Sequence, residues 1–159
     1  MIAKSRKPPM TIGLRPTFAF EQSLEGTQDA VRDALAYFVD QLATLDLDDE
    51  DLATVELVLA ETLNNIVEHA FADQTEPGFI RIRCVCQSGD LHLRITDFGR
   101  AMPDIRIPDG KMATLGPETA ALPEGGFGWA MIHALTEDIS YVRSGPMNAL
   151  TLRIGLRNG

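Results

Sequence analysis

Two runs of alternating residues meet at a turn: "GFIRIRCVCQ" (Gly78–Gln87) and "DLHLRITDF" (Asp90–Phe98), separated by Ser88-Gly89. A period of two places apolar side chains on one face and polar ones on the other, and a glycine-bearing turn between such runs specifies an antiparallel hairpin. A face of that kind needs a cover, and the rest of the chain supplies one. Leu24, Val31, Leu35, Phe38 and Leu42 recur at helical spacing from Ser23 to about Leu45. A second helix capped by Asp48 or Asp49 runs to about Ala70. Before them "TIGLRPTFAF" has strand composition, with Pro16 favouring an edge or a bulge. "GWAMIHALTE" predicts a short helix, and "DISYVRS" and "NALTLRIGL" a second hairpin around Gly145-Pro146. The order predicts an α+β, two-layer sandwich: a mainly antiparallel sheet with helices on one face. It does not fit a doubly wound nucleotide fold, which alternates strands and helices. There is no GxxxxGK[ST] loop, and "GGFGWA" lacks GxGxxG.

A chain of 159 residues that is 45% hydrophobic is expected to form one domain with its own core. The expected division is a disordered leader over residues 1–8 and a single domain over 9–159. Within it, the Pro- and Gly-rich stretch from about 99 to 125 reads as a loop of the kind that serves as a lid. Fourteen Lys and Arg against 23 Asp and Glu leave a net charge of −9. Nucleic-acid binding relies on a basic surface for phosphates, and the only basic run is Lys4, Arg6 and Lys7 in the leader. The acidic run "DLDDED" suits a helix start, where carboxylates meet the positive end of the dipole. No apolar run approaches the ~18 residues of a membrane span. Cys84 and Cys86, two apart in a strand, read as small buried hydrophobes in a reducing cytoplasm.

The chemistry concentrates in "LAETLNNIVEHAF" (Leu59–Phe71). At about 100° per residue, Leu52, Val55, Leu59, Leu63, Ile66 and Ala70 share one side of the helix. Glu61, Asn65 and Glu68 fall opposite, flanked by Asn64 and His69. A solvated polar face would look like this. Two mid-helix asparagines are nonetheless poor helix formers, and Glu61 and Asn65 lie one turn apart, where carboxylate and amide oxygens converge. Oxygen ligands carrying few charges suit Mg²⁺. A second signal is "ITDFGRAMP": Asp97 at a strand end can accept from an amino group, and Gly99 permits close backbone approach. The alternative is a plain turn. The third is "EGGFGWAMIHAL", with glycines at 125, 126 and 128 entering a helix, which is either an anion site or a hinge.

In this order the three signals resemble the Bergerat-type ATP-binding fold of gyrase, sensor histidine kinases and mismatch-repair ATPases. Within it the first motif resembles that of the anti-sigma-factor serine/threonine kinases, over about Met10 to Leu156. The resemblance implies ATP and Mg²⁺ as cofactors, with Asn65 on the metal and Glu61 activating the attacking hydroxyl. It implies that Asp97 receives the adenine amino group and that Gly99 lies beneath the base. Ala101 stands where a further glycine is usual. Gly126 and Gly128 match glycines beside the phosphates, and Thr151 a hydroxyl near the adenine; His69 is assigned structure rather than catalysis. The implied partners are a sigma factor and a phosphorylatable anti-anti-sigma protein, with a cytoplasmic location and a homodimer. No basic residue adjoins the Gly-x-Gly loop, where Glu124 stands instead, and Lys111 lies further off in the lid. The alternative is a nucleotide-binding partner-switching module that transfers no phosphate.

Overall fold

The computed structural model describes residues 18–110 and 126–157. Their order is β1 (Phe18–Glu25), α1 (Gln28–Leu42), α2 (Asp49–Asn65), β2 (Phe79–Gln87), β3 (Asp90–Asp97), α3 (Gly126–Leu135), β4 (Asp138–Ser144) and β5 (Met147–Gly155). The strands make one antiparallel sheet in the order β1-β2-β3-β5-β4. This is the α+β arrangement the alternation predicts, with its two hairpins joined where β3 pairs with β5. Ser88 and Gly89 both take positive φ, 55° and 80°, the backbone of a two-residue hairpin turn whose twist matches its strands. The expected leader (1–8), most of the Pro16 segment, and Lys111 and Glu124 in the lid lie outside the described residues.

Strand alternation sorts the sheet's side chains. Ile80, Ile82, Cys84 and Cys86 of β2, Leu91, Leu93 and Ile95 of β3, and Leu150, Leu152 and Ile154 of β5 are buried on one face. The helices cover them with Val31, Ala34, Phe38 and Leu42 of α1 and Val55, Val58, Leu59 and Leu63 of α2. Truncating any of the larger ones to alanine costs about 2–5 kcal/mol, the transfer term plus a cavity. The two cysteines belong to this core and are free; burial pushes the Cys84 thiol up to about 12, so it stays protonated and inert.

The helices begin where their caps allow. Thr27 Oγ1 accepts from Ala30 N at 3.2 Å, and Asp48 Oδ1 accepts from Asp51 N at 2.7 Å, each cap contributing about 1 kcal/mol. The acidic run therefore does start α2, and one of its members does more. Asp51 is buried and its Oδ2 accepts from Arg157 N at 2.9 Å, tying the end of the described chain to this corner.

Two boundaries differ from expectation. The first helix starts at Gln28 rather than Ser23, because Ser23, Leu24 and Glu25 pair with Arg81, Ile80 and Phe79 of β2. The second is α-helical only to Asn65 and continues as a π-helical turn, Ile66–Ala70, closed by Phe71 N donating to Ile66 O at 3.1 Å. The Phe71 ring wedges between two glycines: a β-carbon at Gly26 or Gly78 would stand 2.2 or 2.5 Å from it. This wedge seats the end of the α2 segment against β1 and the start of β2.

Candidate functional site

The last turns of α2, the end of β3, the starts of β5 and α3, and the chain after Gly99 line a cavity of about 640 Å³. That size suits a small-molecule ligand. Asp97 is nearly buried where β3 ends. Its Oδ1 accepts from Gly99 N and from Asn148 Nδ2, both at 2.8 Å. Its Oδ2 makes no hydrogen bond among the described residues. Burial pushes the carboxyl pKa up, opposed by the Asn148 and Gly99 hydrogen bonds and by the charge of Arg143.

Gly99 is required for a close approach of backbones. A β-carbon there would stand 2.5 Å from Ala70 O, which accepts from Arg100 N at 2.8 Å. The glycine thus locks the end of β3 onto the π-helical turn and does not itself line the cavity. Ala101, Met102 and Pro103, which follow, do.

Asn148, directly across from Asp97 on β5, is the residue that sequence reasoning missed. It is 3% exposed. Beyond Asp97, its Nδ2 reaches Arg100 O at 3.1 Å and Gly99 O at 3.3 Å. Its Oδ1 accepts from Tyr141 Oη at 2.6 Å and Arg143 Nη1 at 2.7 Å. Tyr141 Oη in turn accepts from Met102 N at 3.1 Å, and Arg143 donates to Gly99 O at 2.8 Å. The signal was parity. Asn148, Leu150, Leu152 and Ile154 alternate on the helix-covered face, so the strand puts Asn148 on Asp97's side and Thr151 on the other. Thr151 pairs with exposed Arg94 and with Ser140, and the structure does not bring it to the cavity.

Asn65 lines the cavity at the end of α2. Among the described residues its buried Nδ2 has no hydrogen-bond partner, and neither has the buried Oδ1 of Asn64. These side chains are only partly accessible because α3 packs across α2, so this flank is no simple solvated face. Gly126 is the first residue of α3, and Gly128 fits against Glu61. A β-carbon at Gly128 would stand 2.7 Å from Glu61 Oε2 and 3.9 Å from Asn65 Nδ2. Glu61 lies beside the cavity rather than in its wall. From α3, Trp129 is 8% exposed and lines the cavity. His133 Nε2 lies 2.9 Å from Pro108 O, pinning the described start of the expected lid. His69 also lines the cavity, while its carbonyl accepts from Arg100 Nη2 at 3.2 Å.

Residues 24–154 match the histidine kinase-like ATPase domain. The chain belongs to that family. Over 98 residues this ATPase domain is 26% identical to the anti-sigma F factors of Geobacillus stearothermophilus and Geobacillus kaustophilus, a match covering 62% of the chain and 64% of each relative. The match therefore spans less than two thirds of those proteins' length. The crystal structure of the RsbU and RsbW domains of a Mycobacterium tuberculosis protein superposes with a TM-score of 0.61 at 22% identity, covering 89% of this chain and 33% of that one. A blue-light activated histidine kinase of Erythrobacter litoralis gives 0.53 at 20% identity, covering 80% of this chain and 40% of that one. Both structural likenesses are of fold. No helix among the ATPase domain's described residues is long and apolar enough to cross a membrane.

Proposed function

We propose that the chain is a cytoplasmic anti-sigma regulator of the partner-switching kind. It binds Mg-ATP, phosphorylates a serine or threonine of an anti-anti-sigma protein, holds a sigma factor, and acts as a homodimer. The observation that carries this is Asp97, a buried carboxylate at the cavity with one oxygen held by the protein and the other without a partner among the described residues. Such a group suits a base with an exocyclic amino group, and adenine offers one.

The residues at the other end fit a metal-bound triphosphate. Asn65 brings an amide whose Nδ2 has no partner among the described residues, and Glu61 stands one turn away. Among the described residues no three His, Cys, Asp or Glu gather as a metal cluster, so a cation here relies on few protein oxygens, as Mg²⁺ does when phosphates supply the rest. Asn65, with its amide oxygen turned inward, would hold it. Bound Mg-ATP supplies a γ-phosphoryl whose bond to the bridging β,γ oxygen breaks as one to the seryl oxygen forms. Glu61 would take the seryl proton, and the N–H groups at the start of α3, at Gly126 and Gly128, would hold the phosphates.

One observation favours the second reading, a nucleotide-gated binding module. No lysine or arginine occurs in α3, and phosphoryl transfer depends on neutralising spread negative charge. Labelled ATP and purified candidate antagonists separate the two. Serine or threonine labelling supports the kinase. Tight Mg-ATP binding without labelling leaves the module, and no nucleotide binding at all defeats both.

A further inference from the structure

We infer that Asn148 is the positioning residue that makes Asp97 a one-sided hydrogen-bond acceptor, and that it thereby sets the site's preference for a base bearing an amino group. The inference rests on the nucleotide reading above and extends it to a residue on a different strand.

The orientation of the Asn148 amide follows from its neighbours. Arg143 and Tyr141 both donate to one of its terminal atoms, at 2.7 and 2.6 Å. A guanidinium only donates, so that atom is the oxygen. The nitrogen is then compelled to face Asp97 Oδ1, Gly99 O and Arg100 O, all acceptors. With Gly99 N on the same carboxylate oxygen, Asp97 Oδ1 has both lone-pair directions filled. Only Oδ2 remains for a ligand, and an ionised oxygen can only accept. A base presenting a carbonyl there meets acceptor against acceptor, with a buried polar group left unpaired.

Asn148 also keeps Asp97 in the form that accepts. Were its N–H removed, the desolvated carboxyl would take up a proton more readily and could then donate to a carbonyl. Among the described residues, the charged and titratable groups around Asp97 are Arg143 and Tyr141 of β4, Arg100 after β3, and His69 of the π-helical turn. Of these only Arg143 bears on its ionisation.

The test measures ATP and GTP affinity by calorimetry at pH 8 and pH 5.5 for the full chain and for Asn148→Leu and Asn148→Thr, with thermal melts to verify folding. Leucine keeps the branched heavy-atom shape and removes both hydrogen-bonding ends, whereas threonine restores one group that donates and accepts. Asn148→Leu is expected to lose ATP affinity by about tenfold or more, the scale of a hydrogen bond to a charged group. Its ATP-over-GTP preference should shrink, most at pH 5.5, and Asn148→Thr should recover most of it. A folded Asn148→Leu protein that keeps the native preference at both pH values overturns the inference. Should that variant not fold, Arg143→Met carries the test, since it removes the donor that orients the amide: a preserved preference overturns the inference, a reduced one supports it. Failure of the unaltered chain to bind ATP would be a different result, striking at the proposed function itself.

Discussion

Gly128 stands against Glu61 so closely that a β-carbon at the glycine would lie 2.7 Å from the carboxylate oxygen Oε2. The contact joins the start of α3 to the last turns of α2, through residues 67 positions apart in sequence (128 − 61). The atom in the way is the far end of a flexible side chain, so Glu61 can swing aside at little energetic cost. Gly128→Ala is therefore expected to leave the melting temperature close to native while displacing the proposed base. Phosphoryl transfer should fall by about tenfold or more, with the roughly 10²–10⁴ that a positioned base contributes as the upper bound. A variant with native turnover would mean that the position of Glu61 does not matter to the chemistry.

Asp97→Asn separates binding from stability. The asparagine oxygen can still accept from Gly99 N and Asn148 Nδ2, but its NH₂ then points into the cavity, donor against the donor of adenine. ATP affinity should drop by about 1.5–3 kcal/mol, the scale of a charge-assisted hydrogen bond. Burial raises the carboxyl pKa in the folded chain, so the native state holds a proton that the unfolded state has already released. Stability without ligand should consequently fall as pH rises from the free-aspartate value of 3.8 through the raised folded value. Asp97→Asn should abolish that slope and melt no lower than the native chain at pH 7. A melt series from pH 4 to 8 checks the sign.

Glu61 and Asn65, one helical turn apart, should fail differently. Asn65→Ala is expected to weaken Mg-dependent ATP binding and transfer together. Glu61→Ala should bind ATP nearly as well as the native chain while turnover falls by roughly 10²–10⁴. Equal effects of the two changes on binding would count against the division of labour.

The chain's one tryptophan provides a built-in reporter. Trp129 lines the cavity and its ring lies 6.4 Å from that of His133, which holds Pro108 O. Mg-ATP should shift Trp129 emission and slow amide exchange over Gly99–Gly110. His133→Ala should speed exchange at Gly110, whose backbone packs on that ring, with a smaller change at Asp97. Uniform exchange in native and variant chains would remove the pinning role.

How much of this was legible beforehand follows from the range of each interaction. The hairpins and caps were readable because period-two alternation and Asp or Thr before a helix act within a few residues. Local patterns also singled out Asn65 and Asp97, which line the cavity, and Gly128, which lies against Glu61. Asn148 was not readable, because its role comes from β5 lying beside β3, a pairing across 51 positions (148 − 97) that no window displays. Counting parity back from Leu150 and Leu152 would have put it on Asp97's face and removed Thr151 from contention. The start of α1 differs from its sequence pattern for a related reason: Leu24 fits a helical stripe, yet pairing with Ile80 on β2 holds it in a strand. The π-helical turn carries no compositional mark at all. It exists because Phe71 must reach the space between Gly26 and Gly78.

That wedge also bears on how the sequence can change over generations. The aromatic ring occupies the volume where two β-carbons would otherwise be, so the three positions form a lock with one key. Exchange of either glycine alone collides with the ring, and shrinking the ring alone opens a void beneath the segment that carries Asn65. Viable descendants must alter these sites in concert, through intermediates that fold poorly, and a library randomised at all three positions should return its survivors as matched sets.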